Sequence, residues 1–161
     1  MWGFLKMSKE IKKKEGMTLI TKTISNCLVG VIGMLGVSVA LYGHVSPGGG
    51  FAGGVIVACA FILLTITHGK TTSLKKFPDA IAGLLNNLGA LAFVTIALLG
   101  FVGGAFFFNF IKRDEPFGLL SAGTILFTNI AIMILVMAGL FAIFVALSIW
   151  GRIVSDTDKE E

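Results

Sequence analysis

The residues best suited to chemistry are concentrated in residues 42–54, whose sequence is YGHVSPGGGFAGG. A histidine such as His44 can bind a metal or carry a proton, and a glycine-rich loop can hold a phosphate when it joins a strand to a helix. No strand pattern precedes these glycines and no Lys-Ser or Lys-Thr pair follows them, so a phosphate loop is not expected. The second histidine, His68, falls at the far end of the next apolar run, so the two histidines are not expected to share a metal.

The remaining candidates for catalysis are equally sparse. Cys27 and Cys59 both fall inside apolar segments and match no metal-ligand spacing, so they are interpreted as small packing residues. No GxSxG or HExxH pattern occurs. The sequence therefore predicts a non-catalytic chain with no metal and no cofactor of its own.

The elements that carry these residues are long apolar runs. Of the 161 residues, 55% are hydrophobic and 14% are charged, and the mean hydropathy is +0.92. Soluble domains carry about 25% charged residues, and a bilayer-spanning helix needs about 20 apolar ones. The sequence predicts an all-α integral membrane protein of four transmembrane helices, over Ile24–Tyr42, Gly50–Thr67, Ala80–Phe110 and Leu119–Trp150.

This pattern divides the chain into three parts: a basic arm (1–22), a four-helix transmembrane domain (23–151) and a short tail (152–161). The last two apolar runs exceed the length of a perpendicular span, so tilt, a break or an early exit must absorb the excess. The pair Gly103-Gly104 is the expected position of such a kink or exit. No charged turn divides either run, so a further hidden span is not expected.

The basic residues indicate the orientation of the four spans. Of the thirteen Lys and Arg residues, six lie in the arm, three between the second and third runs and two in the tail, all on one side. Only Lys112 and Arg113 fall on the other side. The positive-inside rule therefore predicts that both termini are cytoplasmic. This topology signal explains the lysine-rich arm, so nucleic-acid binding is not expected. No small-residue cleavage site follows a short apolar core, so a cleavable signal peptide is not expected either.

Small residues form stripes on the predicted helices. Gly50, Gly54 and Ala58 make a small-xxx-small ladder, which lets two helices approach closely. Polar residues at depth are few, and Asn86, Asn87 and Asn129 are the best candidates. They are open to two interpretations, a hydrated ion path or hydrogen bonds between helices. No Asp, Glu, Lys or Arg lies clearly within a membrane core, which disfavours an independent proton-coupled transporter.

The segment between the first two runs is also open to two interpretations. Ser46 is expected to cap a helix whose first turn begins with Pro47, and the start of that helix would attract anions beside His44. Alternatively, the glycines simply allow a tight hairpin between two closely packed helices.

This segment resembles the signature GHxxPGGGFxGG of the MnhB/MrpB family. That family comprises the B-type subunits of multisubunit sodium/proton antiporters and relatives in archaeal membrane-bound hydrogenase and sulfane-sulfur reductase complexes. In the rest of the chain, only the four-span layout and the lengths resemble the family, over roughly residues 20 to 150. Val45 departs from the family, which commonly has asparagine there. The matching residues are Gly43, His44, Pro47, Gly48, Gly49, Gly50, Phe51, Gly53 and Gly54.

The resemblance implies an accessory, multi-pass subunit of the cell membrane that helps form the sodium path of a cation/proton antiporter module. Its implied partners are other antiporter-type membrane subunits, the lipid bilayer, sodium ions and protons. In such complexes the proton-carrying lysines and glutamates are associated with larger subunits, and the lack of charge in the present spans fits that division. The alternative is a purely structural spacer that joins the ion-translocating subunits.

Overall fold

Four long helices dominate the residues that the computed structural model describes, which are 17–68, 79–109 and 121–157. All four are long and apolar enough to cross a membrane, which confirms the predicted four-span, all-helical layout. The orientation of the termini stays a prediction, and most of the basic residues behind it, in the arm and between the spans, lie outside the described residues. The helices are α1 (Leu19–Leu41), α2 (Gly50–His68), α3 (Asp79–Leu99) and α4 (Thr124–Thr157).

The third and fourth helices are bounded by glycines with positive φ. The helix α3 ends at Leu99 and continues as a single 3-10 turn over Gly100–Gly103. Gly104 then adopts φ 97°, which confirms the predicted exit at the glycine pair. Before α4, Gly123 adopts φ 62°, so the helix begins at Thr124 rather than near residue 119. The third predicted run was too long because the apolar segment after Gly104 is not helical within the described residues.

The helices form a row in the order α1, α2, α4, α3. The helix α2 packs against both α1 and α4, and α4 packs against α3, with only a minor contact between α1 and α4. The span of α2 is 44% buried, whereas those of α1 and α3 are each 17% buried. The helices α1 and α3 therefore lie on the flanks and expose most of their surface.

Glycine backbones bring neighbouring helices into contact along this row. Gly36 of α1 lies against Gly53 of α2, and a Cβ added at Gly53 would lie 2.6 Å from the carbonyl oxygen of Gly36. A Cβ added at Gly89 of α3 would lie 3.0 Å from the backbone nitrogen of Leu135 in α4. Such spacing leaves no room for a side chain, as is typical of close helix pairs in membranes.

Bulky side chains fill the end of the bundle opposite the α1–α2 turn. The rings of Phe61 in α2 and Phe141 in α4 meet edge to face, with centroids 6.3 Å apart. Ala82 of α3 and Val145 of α4 complete this buried cluster. At the same end, the backbone N–H of Met17 donates to the carbonyl of Thr67 at 3.1 Å and ties the start of α1 to the end of α2.

Candidate functional site at the α1–α2 turn

The segment that carries the sequence motif forms a tight turn between antiparallel helices. At the end of α1, the N–H groups of Val45 and Ser46 both donate to the carbonyl of Tyr42, at 2.9 Å each. The Gly53 N–H donates to the carbonyl of Gly49 at 3.0 Å and opens α2. Gly49 itself adopts φ 139°, a conformation that other residues rarely adopt.

The serine of this turn caps a different helix from the one predicted. The Ser46 hydroxyl donates to the carbonyl of Tyr42 at 3.0 Å and so serves the carboxyl end of α1. The predicted role of Ser46 as the amino-terminal cap of α2 is therefore wrong, and Pro47 does not begin that helix. The reason is that the glycines that follow stay outside the helix, and α2 begins only at Gly50.

The glycines of the motif lie where the backbone has close neighbours. A Cβ at Gly43 would collide with the backbone of Gly49, and one at Gly48 would lie 2.7 Å from Cγ1 of Val39. A Cβ at Gly50 would lie 2.9 Å from the Cα of Asn129. The turn is therefore closed on itself, on α1 and on α4.

The small-residue ladder of α2 faces α4. A Cβ at Gly54 would lie 2.8 Å from the carbonyl oxygen of Met133 and 2.9 Å from the Cβ of Val136. Ala58, the third member, is also buried. The close helix contact predicted from this ladder is thus confirmed, and its partner is a helix of the same chain.

The two histidines occupy separate places. His44 is half-buried in the turn, and His68 ends α2 at the opposite end of the bundle, where its Nδ1 lies 3.3 Å from the Thr67 hydroxyl. Among the described residues, no group of three or more His, Cys, Asp or Glu side chains is placed to hold a metal ion. Phe51 of the motif points away from the bundle and is 67% exposed.

The three asparagines proposed for an ion path lie in three different environments. Asn129 sits beneath the turn, with its Oδ1 3.9 Å from the position of a Cβ at Gly49. Asn86 lies against α4, with its Oδ1 3.6 Å from the position of a Cβ at Gly139. Asn87 is exposed on the flank of α3. Because Asn129 and Gly139 are ten residues apart on one helix, the two inward-facing amides are separated by about 15 Å along its axis.

One polar residue with a clear structural role, Asn109, was not singled out from the sequence. Its Oδ1 accepts from the Thr124 backbone N–H at 3.0 Å, and its Nδ2 donates to the Ala122 carbonyl at 3.1 Å. Asn109 thus caps the start of α4 from a distant part of the chain. The only sequence signal was an asparagine at the end of a long apolar run, and capping across fifteen residues has no local pattern.

Together these features define a class: a multi-pass membrane protein built for close helix packing, with no charged residue between Lys22 and Lys70 or between Asp79 and Lys112. Residues 20–142 match the family model described as a domain related to the MnhB subunit of the Na+/H+ antiporter. The chain therefore belongs to this family, which confirms the resemblance found in the turn.

Individual relatives agree with this assignment. The chain is 37% identical over 134 residues, 79% of its length, to the uncharacterized protein MJ1307 of Methanocaldococcus jannaschii, and the match spans about half (51%) of that protein. It is 27% identical to mnhB2 of Staphylococcus haemolyticus, named as an antiporter subunit, over 81% of this chain and 94% of that one.

A solved structure shares the fold. The chain is similar to a chain in the structure of the membrane-bound sulfane sulfur reductase, an archaeal respiratory membrane complex. The TM-score is 0.66 and the sequence identity is 28%, over 83% of this chain and 61% of that one. The four-helix row is thus an arrangement found in a respiratory membrane complex.

Proposed function

We propose that this chain is a non-catalytic, accessory subunit of a multisubunit sodium/proton antiporter module in an archaeal energy-converting membrane complex. A membrane-bound hydrogenase or a sulfane-sulfur reductase would be such a complex. Family membership, the similarity to an antiporter subunit and the similarity to a chain of a respiratory complex support this proposal. The partners are other antiporter-type membrane subunits, and both termini face the cytoplasm.

The observation that carries the accessory role is the absence of Asp, Glu, Lys and Arg from the depth of the four described spans. Proton-coupled transport uses Asp, Glu, Lys or His residues inside the membrane as relays. In this chain, the described spans carry amides and hydroxyls at depth, and His44 and His68 lie at opposite ends of α2. Another subunit must therefore carry the protons.

The chain helps to form the sodium path at its surface rather than through its interior. Asn86 faces Gly139 of α4, Asn129 of α4 lies beneath the turn at a separate level, and Phe61 packs on Phe141 at one end of the bundle. The two inward-facing amides, about 15 Å apart along α4, therefore do not form a single polar site. Asn87, exposed on the flank of α3, is the amide available to line a route that a neighbouring subunit completes.

The alternative, a purely structural spacer, is favoured by a separate observation. The motif glycines serve to close the turn against α1 and α4, as the contacts of Gly43, Gly48 and Gly50 show. Glycines that close the turn in this way stabilise the contact between the helices, and this role requires no ion. The two functions differ in whether the exposed face of α3 meets water or only protein.

Substitution of Asn87 separates the two functions. In the sodium-path proposal, Asn87→Leu leaves the complex assembled but reduces sodium-dependent pH-gradient formation in membrane vesicles, measured per assembled complex. In the spacer alternative, the same change weakens the assembled complex by about 1 kcal/mol, with normal transport by the complexes that remain. Leu88→Ala, at an exposed neighbour on the same helix, is the matched control and leaves both readouts unchanged.

A separate experiment tests the accessory role itself. Deletion of the gene for this chain, with expression of the other subunits retained, should abolish sodium-dependent pH-gradient formation. Restoring the chain from a plasmid should restore it. Normal sodium-dependent transport without the chain would overturn the proposal.

A further inference from the structure

A short segment of the chain folds back along the end of α3. After Gly104 the chain reverses, and the N–H of Phe107 donates to the carbonyl of Ala97 at 3.4 Å. The ring centroids of Phe93 and Phe107 lie 5.5 Å apart, so Phe107 reaches back to residues that precede the end of the helix. Phe107 adopts φ 59°, which bulky residues rarely adopt, and these contacts hold it there. The reversal is therefore fixed by specific contacts.

The reversed segment presents a continuous aromatic surface. The ring of Phe106 contacts two others, with centroids 4.8 Å from that of Phe107 and 5.6 Å from that of Phe101. All residues from 101 to 108 are exposed, and Phe101 and Phe106 are 59% and 58% exposed. We call Phe101, Phe106, Phe107 and Phe108 the phenylalanine pad.

The length of α3 sets the depth of this pad. The helix begins at Asp79, the last charged residue before Lys112, and Ala97 follows eighteen residues later. That distance is about 27 Å along the axis, against a hydrocarbon thickness of about 30 Å. Phe107, bonded to Ala97, therefore lies close to the boundary between acyl chains and headgroups on the far side. Its N–H is paired, as a backbone group at this depth must be.

The composition of the segment points to lipid as the neighbour of the pad. Residues 96–108 contain no polar side chain. Contacts between protein subunits carry about one hydrogen bond per 100–200 Å² and a polar rim, which these side chains cannot supply. Bulk water is an unfavourable neighbour for four adjacent aromatic rings. Acyl chains need no hydrogen bond, and the headgroup boundary can also solvate the backbone of the loop.

We propose that the phenylalanine pad is a lipid anchor, whose rings insert between acyl chains at the membrane boundary where α3 ends. Asn109 follows the pad and caps the start of α4, so the anchor also holds that start at the same depth. The proposal requires only that the four helices span a membrane, and it does not depend on the proposed function.

Depth-dependent quenching in phosphatidylcholine vesicles tests the anchor. The full-length chain carries Trp2→Phe and Trp150→Phe, so that a single tryptophan introduced as Phe106→Trp reports on the pad. Lipid brominated close to the headgroup should quench this tryptophan about twofold more strongly than lipid brominated near the ends of the acyl chains. Leu91→Trp, at an exposed site near the middle of the span Ile81–Gly103, is the matched control and should show the reverse order. Quenching of Phe106→Trp by acrylamide but by neither lipid would place the pad in water and overturn the proposal.

A crosslinking measurement tests the same contact in the assembled complex. With p-benzoylphenylalanine in place of Phe106, irradiation of native membranes should join this chain to phospholipid and to no other protein, as detected by mass spectrometry. The same probe at Phe141, which is 3% exposed, is the control and should give no lipid adduct. A crosslink from position 106 to another subunit or to a second copy of this chain would show that protein covers the pad. That result, or a lipid yield at position 106 no higher than at position 141, would overturn the proposal.

Discussion

Leucine at Gly54 should destabilise the fold of this chain before it affects any partner. A Cβ at this position would lie 2.8 Å from the backbone oxygen of Met133 and 2.9 Å from the Cβ of Val136, both in α4. Ordinary contact needs about 3.5–4.0 Å. The backbone oxygen cannot turn aside as a flexible side chain can, so α2 and α4 must separate by several tenths of an ångström for the Cβ alone.

The size of the effect follows from the loss of that close contact. Inserting atoms into a packed core costs about 1–3 kcal/mol, and replacing a helical glycine with another residue returns up to about 1 kcal/mol. We therefore expect a net loss of about 2 kcal/mol for Gly54→Leu. The span stays apolar, so insertion into the membrane should be normal.

The assay is thermal or denaturant unfolding of the purified chain in detergent. Cys59→Leu is the matched control, because Cys59 lies on the same helix and is exposed, so the added atoms enter open space. Equal stability of the two variants would refute the assignment of Gly54 to the α2–α4 contact. A stable Gly54→Leu chain that failed only to join its complex would instead show that this face meets another subunit.

Two further predictions concern topology and capping. The two topology variants, Ser46→Cys and Ser73→Cys, are each made in a background without the native cysteines. In intact cells, an impermeant thiol reagent should label residue 46 but not residue 73, because the positive-inside rule places residue 73 in the cytoplasm. The reverse labelling pattern would invert the topology. Asn109→Ala should lower the stability of the chain by about 1 kcal/mol and speed hydrogen exchange at the start of α4. Asn109→Asp keeps the acceptor for the Thr124 N–H, so it should retain most of the stability. Unchanged hydrogen exchange in the alanine variant would contradict the cap.

The number and approximate position of the spans could be predicted from the sequence because hydropathy over twenty residues is a local property. The neighbours that each helix face contacts could not be predicted in this way. Asn86 and Asn87 were named together as candidates for one ion path, but consecutive residues on a helix point about 100° apart. In the structure Asn86 faces Gly139 and Asn87 is exposed, so the two amides do not share one environment.

The details of the turn were also beyond local patterns. A serine before a proline is typical of a helix start, but Ser46 instead bonds back to Tyr42, because the close approach of Gly43 and Gly49 delays the start of α2. That approach depends on the packing of two helices and is not encoded in the serine–proline pair. The density of glycine nevertheless indicated correctly that a tight hairpin could form.

Amide side chains lie both in the packed centre of the row of helices and on its exposed flanks. The central helices α2 and α4 are joined by glycine contacts, and the inward-facing amides Asn86 and Asn129 lie against glycines within the chain. The exposed amides, Asn26 on α1 and Asn87 on α3, lie on the two opposite flanks of the row. Lipid chains offer an amide no hydrogen bond, so each exposed amide needs water, a headgroup or protein as its partner. Under the proposed function, a chain with a closed centre and exposed amides on both flanks would lie between two other subunits, and an ion route that it helps to form would run along the joint between them.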